Sequence, residues 1–438
     1  MTAPGGRVTL SGYYLAEGPL RLKVVRGLVE VTGKTLEPGS EVVVPAAKAT
    51  LVETAESEAE VEVRGGSMSK CESSTVPPEW RSFIEELASE KRGLTLLVGP
   101  VDSGKTFLAT YAANKLMGYS IRVSVIDGDV GQSSIGPPTT VGLGVLESQV
   151  AFLEEVEPRA MYFVGSTSPA GHLLPTLVGI AMLREIGSSL SDSVLVDTPG
   201  LVFGGPARAL HYHLAESLRP TRVALLQHSR ELEHLAKLLK SVGVDVLALP
   251  ASPYARRRSR EERRVLRERA FFNYFARRGA RELRVDLKRV PLLGSFIGSG
   301  EEAPDELRRL VEETLRCRVS YCELSTDSLV VVTDGERSSA SREALERLKA
   351  SLERGEQGPE RVVRVLKRGF EEGLVVGLLE RGGLCVEVGV LRKLDLGERA
   401  AIVLTPLGSL DRVTALRLGS VRLDSNLREV ERLDPGFA

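Results

Sequence analysis

Residues 99–106 read Gly-Pro-Val-Asp-Ser-Gly-Lys-Thr and fit the spacing Gly-x-x-x-x-Gly-Lys-Thr. These residue types in this order suit phosphate chemistry. Gly99, Pro100, Val101, Asp102, Ser103 and Gly104 would form a cradle. Its two glycines let the backbone curl until successive N–H groups point inward at phosphate oxygens. Lys105 would reach the β- and γ-phosphates, and the Thr106 hydroxyl could ligate Mg²⁺. The expected ligand is a nucleoside triphosphate.

Carboxylates come next. Asp127 and Asp129 close the run VIDGDVGQ, with Gln132 following in a Gly-Gln pair. Spaced by two on an extended backbone, the two acids face the same way. Either could hold Mg²⁺ through water or accept a proton from an attacking hydroxyl, and an Asp-Gly turn is the structural alternative. Asp197 ends the run VLVDTPG and has the form of a Walker-B aspartate, with Gly200 placed to approach a γ-phosphate. A GTPase would share these features but would usually add Asn-Lys-x-Asp two strands later. The corresponding strand here reads VALLQHSREL. Pro100 also replaces the extra lysine of partitioning-type ATPases.

Two further groups stand out. Ser166, Thr167 and Ser168 lie between an expected strand and helix, where they could contact phosphate or simply cap the helix. Residues 256–269 read RRRSREERRVLRER, and Arg260, Arg263, Arg264 and Arg267 share one side of a helix. Interleaved Glu261, Glu262 and Glu268 fit an ordinary solvated helix. The arginines equally fit a lid that neutralises a transferring phosphoryl group, or a clamp on a polynucleotide backbone.

These residues need a scaffold. Apolar runs at 94–98, 121–126, 160–164, 193–197, 222–226 and 244–249 alternate with helical patterns near 107–117, 173–186, 207–218 and 230–241. That rhythm predicts an α/β fold with a mostly parallel, doubly wound sheet. Ligands bind such sheets at the carboxyl ends of their strands, where Gly99, Asp127 and Asp197 fall. Short Val-rich runs at 7–65 predict a small N-terminal β-sandwich or barrel. Ser67–Pro78 reads as a linker, and runs after 320 predict a second β-rich domain around a helix at 341–352. The expected domains are thus 1–75, 76–320 and 321–438.

With 42% apolar and 27% charged residues, the chain is of ordinary globular composition. Its net charge of −1 neither requires nor excludes a nucleic-acid partner, since a local basic patch can hide in a neutral total. No apolar run approaches the ~20 residues of a membrane span, and the first ten residues lack a signal-peptide pattern. A cytoplasmic protein without a membrane segment is expected. Cys71, Cys317, Cys322 and Cys385 show no metal spacing and are expected as buried thiols. Scarce amides and abundant charge fit a thermophile.

Taken in order, GPVDSGKT, DGDVGQSSI, VGSTSP, DTPG and the arginine-rich stretch resemble the polynucleotide 5′-hydroxyl kinases. That family includes the kinase subunit of the pre-mRNA cleavage factor, the nucleolar kinase of ribosomal RNA processing, and stand-alone archaeal enzymes. The resemblance spans essentially the whole chain. It implies a central P-loop NTPase domain flanked by small N-terminal and C-terminal β-rich domains. It also implies ATP and Mg²⁺ as cofactors and an RNA or DNA 5′-hydroxyl end as partner; the motifs name no protein partner. By the same resemblance, Asp129 would be the general base, and Gln132 would lie near metal and substrate. Thr167 and Ser168 would belong to a clasp on the nucleic acid. Arg258, Arg263 and Arg267 would be lid arginines around the phosphates, and Lys48 would lie near adenine. Thr106, Asp129 and Asp197 are the candidate metal ligands. Two positions depart from the family: it usually has Asn at Asp197 and Trp at Leu201, where the aromatic stacks on a base in some relatives. An ATP-binding scaffold without turnover and a related GTPase remain the alternatives.

Overall fold

The computed structural model describes residues 6–74, 76–253, 255, 257–334, 342–353 and 361–434. Arg256 of the basic stretch lies outside them. The chain falls into two compact units. The first comprises 1–136, 140–161 and 173–260; the second comprises 137–139, 162–172 and 261–438. These limits differ from the textural boundaries at 75 and 320. The N-terminal strands cluster with the α/β region, while the second unit starts at 261 and takes in the 162–172 segment.

The first unit opens with seven strands: β1 (Gly6–Leu10), β2 (Tyr13–Arg26), β3 (Val29–Val31), β4 (Lys34–Leu36), β5 (Glu41–Val44), β6 (Ala49–Thr54) and β7 (Ala59–Cys71). They form one sheet ordered β1-β7-β2-β6-β3-β4, with β5 also on β2. Alternate residues such as Leu20, Leu22 and Val24 are buried, so one face builds the core, as period-two patterning requires. The expected linker at 67–78 is shorter than its polarity suggested. Ser67–Cys71 extends β7 by pairing with Tyr13–Glu17 of β2, since backbone pairing tolerates polar side chains on an exposed face.

The α/β region follows, with α1 (Pro78–Glu90), β8 (Gly93–Val98), α2 (Lys105–Gly118), β9 (Val123–Asp127), β10 (Thr140–Val145), β11 (Pro158–Phe163), α3 (Leu173–Leu190), β12 (Ser193–Asp197), α4 (Gly204–Leu218), β13 (Arg222–Gln227), α5 (Glu233–Ser241) and β14 (Val246–Pro250). Strands β14, β13, β8, β12 and β9 lie side by side and parallel. Leu97, Val125, Leu195 and Leu226 join α1 and α2 in one core. On the other face a Cβ on Gly187 of α3 would meet Ser124 and Val194 at 3.6 Å. Helices therefore cover both faces. Strand β10, absent from the expected pattern, runs antiparallel to β9 and lies between β9 and β11. Helix α3 is long and apolar enough to cross a bilayer by length and composition alone, contrary to the expectation of no membrane-length segment. Here it packs on β9, β10, β12 and α4.

The second unit holds α6 (Arg260–Arg277, from its second residue), β15 (Arg281–Asp286), β16 (Leu292–Leu293), β17 (Glu301–Glu302), α7 (Asp305–Leu315), β18 (Val319–Leu324), β19 (Ser328–Thr333), α8 (Arg342–Glu353), β20 (Val362–Lys367), β21 (Leu374–Leu379), β22 (Cys385–Asp395), β23 (Ala400–Thr405), β24 (Ala415–Leu423) and β25 (Glu429–Arg432). One group pairs as β15-β23-β22-β21-β24, and β17-β18-β19-β20 make a separate sheet. Cys322 and Cys385 are buried, whereas Cys71 and Cys317 are only half-buried.

Candidate active site

The phosphate loop follows β8 and opens α2. A Cβ on Gly99 would lie 2.5 Å from Ser103 Oγ and 2.9 Å from the Leu226 carbonyl, so the turn admits only glycine. Gly104 adopts φ +94°, in the left-handed region, and the N-terminus of α2 starts immediately after it. Lys105 is buried, and its ammonium donates to the Gly99 and Pro100 carbonyls at 2.9 Å each. Val101 is exposed, and Gly200 packs against it: a Cβ there would sit 2.5 Å from Val101 Cγ2.

The loop is also tied from behind. Asp102 (φ +60°) accepts the Arg258 backbone N–H at 2.9 Å, with the Arg258 guanidinium 3.6 Å from its other oxygen. The Ser252 N–H donates to the Ser103 carbonyl at 3.4 Å. Trp80 of α1 donates its indole N–H to the Pro250 carbonyl at 2.8 Å. The chain leaving β14 is thus anchored on the phosphate loop before α6 begins.

Three acids gather at the carboxyl edge of the sheet. Asp197 of β12 is in register with Asp127 of β9 and with Leu97 of β8. The Thr106 hydroxyl donates to Asp197 Oδ2 at 2.5 Å, while Asp197 Oδ1 is buried with no hydrogen-bond partner among the described residues. Burial raises the Asp197 pKa to about 6, with the Asp129 charge adding to the push and Lys105 and Thr106 opposing it. Asp127 is raised well above the carboxylate range, first by burial and then by the charges of Asp197 and Asp129.

Asp127 and Asp129 play different parts. Asp127 Oδ1 accepts the Asp129 N–H at 3.0 Å, and its Oδ2 accepts the N–H groups of Ser134 and Ile135. It is the post around which the 128–135 loop is wound. Asp129, half-buried, accepts the Gly131 and Gln132 N–H groups on Oδ1 at 3.0 Å each. Gln132 is half-buried in the same loop and donates to the Gly131 carbonyl. Sequence spacing alone could not separate the two acids, because the difference is made by N–H groups of residues 134 and 135.

The other expected site residues are more dispersed. Lys48, between β5 and β6, forms an ion pair with Glu154 and lies 5.2 Å above the Phe152 ring. Thr167 and Ser168 belong to the second unit. Thr167 Oγ1 is buried without a partner among the described residues, and Ser168 Oγ accepts the Ala170 N–H. Their segment is held by β24: Ser420 donates to the Gly165 carbonyl and Arg417 to the Phe163 carbonyl. Arg263 is half-buried on α6. Arg267 is buried in an ion pair with Glu429 at 2.8 Å, and Arg264 bridges to Glu268. Arg264 also donates to the Glu429 carbonyl at 3.0 Å, so both arginines reach the C-terminal strand. Missed by sequence reasoning were His211 and His234, whose Nε2 atoms meet the carbonyls of Leu201 and Val202 at 3.0 and 2.8 Å. Burial lowers His211 to about 4, so its ring is neutral.

The donor set suits a hard divalent cation. Thr106 and Asp197 offer oxygen atoms alone, with one carboxylate oxygen buried and without a partner. Among the described residues no group of three or more His, Cys, Asp or Glu side chains could hold a metal. Few protein ligands, with waters and phosphates completing the shell, is the habit of Mg²⁺.

Residues 99–277 match the model of the mRNA cleavage and polyadenylation factor CLP1 P-loop. A polyribonucleotide 5′-hydroxyl-kinase of Thermococcus kodakarensis is 31% identical over 356 residues, covering 81% of this chain and 95% of that one. One of Pyrococcus furiosus is 29% identical over 363 residues, covering 82% and 96%. The solved wild-type Clp1p–Pcf11p (454–563) complex shares the fold with a TM-score of 0.61 at 14% identity, covering 95% of this chain and 98% of that one. The chain belongs to the polyribonucleotide 5′-hydroxyl-kinase family.

Proposed function

We infer that this protein transfers the γ-phosphoryl group of ATP to the 5′-hydroxyl end of RNA. The observation that carries the reading is Asp129, presented on a hydrogen-bonded loop next to the Thr106–Asp197 pair of the phosphate-loop site. An acid in that place suits a reaction that must remove a proton from an attacking hydroxyl.

The backbone of Gly99–Gly104 and the N-terminus of α2 receive the phosphate chain, and Lys105 exchanges loop carbonyls for β- and γ-oxygens. Thr106 and Asp197 would hold Mg²⁺, which when bound offsets charge on the phosphates. Asp129 orients the 5′-hydroxyl through Oδ2 and takes its proton as the new P–O bond forms, while ADP leaves with the electron pair of the broken bond. Asp127 keeps Asp129 in place. Arg258, fixed to the phosphate loop through Asp102, supplies positive charge beside the nucleotide. Gln132 on the same loop is proposed to contact the polynucleotide end. Within the second unit, Thr167, Ser168, Arg263 and Arg267 are the residues proposed to bind polynucleotide phosphates.

Incubation with γ-labelled ATP and a 5′-hydroxyl RNA oligonucleotide tests this. Label is expected on the RNA 5′ end, ATP is expected to outcompete GTP, and a parallel DNA oligonucleotide reads the sugar preference. Label released only as free phosphate, or GTP preferred over ATP, would refute the reading.

A further inference from the structure

The loop that carries Asp129 is joined to the N-terminal β-sheet by a short path of side chains. Ser134 donates its backbone N–H to Asp127 and its hydroxyl to Glu154 Oε1 at 2.9 Å. Glu154 is ion-paired with Lys48, which stands on the Phe152 ring. The segment that presents Glu154 is itself part of the N-terminal core. Ala151 is buried among Val31, Val52 and the other apolar residues of that sheet, with Phe152 packed against them. Asn114 of α2 pins the segment by donating to the Thr32 and Val150 carbonyls at 2.8 and 2.7 Å and accepting the Val150 N–H at 3.0 Å.

We propose that Lys48, Glu154 and Ser134 are positioning residues through which the N-terminal domain fixes the Asp129 loop. This rests on Asp129 being the proton acceptor. Lys48 spends its charge on Glu154 rather than on a nucleotide. Glu154 then holds the Ser134 hydroxyl, and with Asp127 holding the Ser134 and Ile135 N–H groups the far end of the loop is fixed at two points. Asp129 sits five residues earlier on a turn closed by its own Oδ1. Small displacements of a proton acceptor cost rate steeply, whereas the phosphate loop is anchored independently and should not feel them.

The test uses the full-length protein with Lys48→Glu, Glu154→Lys, the charge-swapped double variant and Ser134→Ala. Each single variant should lower kcat about fivefold, as a half-exposed ion pair or hydrogen bond allows, with ATP affinity changed less than about twofold. The double variant should recover most of the loss. Hydrogen exchange of the amides at 131–135, read without substrate, should quicken in the single variants and return in the double. Weakened ATP binding in Lys48→Glu with no recovery in the swap would place Lys48 on the nucleotide and overturn the proposal. Unchanged exchange together with unchanged kcat would overturn it equally. Absence of transfer in the unaltered protein would instead strike the kinase reading, and the exchange data would still decide the brace.

Discussion

Lys105→Ala removes the ammonium that the loop aims at phosphate, so transfer should vanish and ATP affinity fall by more than tenfold, about 1.4 kcal/mol, in a calorimetric titration. Asp127→Asn should behave differently. Its amide keeps one acceptor oxygen, so its NH2 must face either the residue 129 N–H or the N–H groups of residues 134 and 135 that the carboxylate now accepts. A stability loss of about 1–3 kcal/mol should appear in thermal melts. Asp197 gives a pH signature. Its pKa is raised to about 6 by burial, so between the unfolded value and 6 the folded chain holds the extra proton. Stability from this group therefore falls as pH rises through that window, and above it the buried charge is a standing cost. Asp197→Asn should raise the melting temperature of the nucleotide-free protein at pH about 7.5 and leave it nearly unchanged at pH about 4. A constant difference across pH would contradict this. The places of Lys105 and Asp197 in the fold were legible because motif spacing and strand ends locate them, whereas Asp129 was singled out from Asp127 only by the family resemblance. The separate duty of Asp127 was not, since it is set by N–H groups seven and eight residues on.

At the scale of elements, β10 is the instructive case. Its sequence, TVGLGV, breaks strand patterning with two glycines, and the expected pattern held no strand there. The glycines have a reason. A Cβ on Gly142 would fall 1.9 Å from the Ile135 carbonyl, and one on Gly144 would meet Val156 at 2.6 Å. The loop bearing Asp129 lies directly on this strand. Gly142→Ala should push residue 135 away, cutting transfer while ATP affinity holds; wild-type kcat in that variant would show the loop does not depend on β10. Helix α6 was readable from its arginine spacing, but its partners were not. Glu429 lies 162 residues beyond Arg267 and collects both Arg267 and Arg432.

For the whole molecule, texture marked β-rich, α/β and β-rich stretches, and the structure contains them. It groups them differently, because long-range pairs such as Asn114 with Thr32 and Ser420 with Gly165 leave no local trace. Asn114→Ala would leave the Thr32 and Val150 carbonyls and the Val150 N–H without their side-chain partner, and should cost about 2–4 kcal/mol in denaturant titration. Proton removal from the 5′-hydroxyl is assigned to Asp129. The measurement that reaches it most directly is the single-turnover rate of Asp129→Asn with saturating ATP and a 5′-hydroxyl RNA, beside its ATP dissociation constant. Asparagine keeps an oxygen for the Gly131 and Gln132 N–H groups but cannot take a proton. The predicted result is a rate lower by about 10²–10⁴ with affinity within about twofold; a rate within about threefold of the unaltered protein would contradict it.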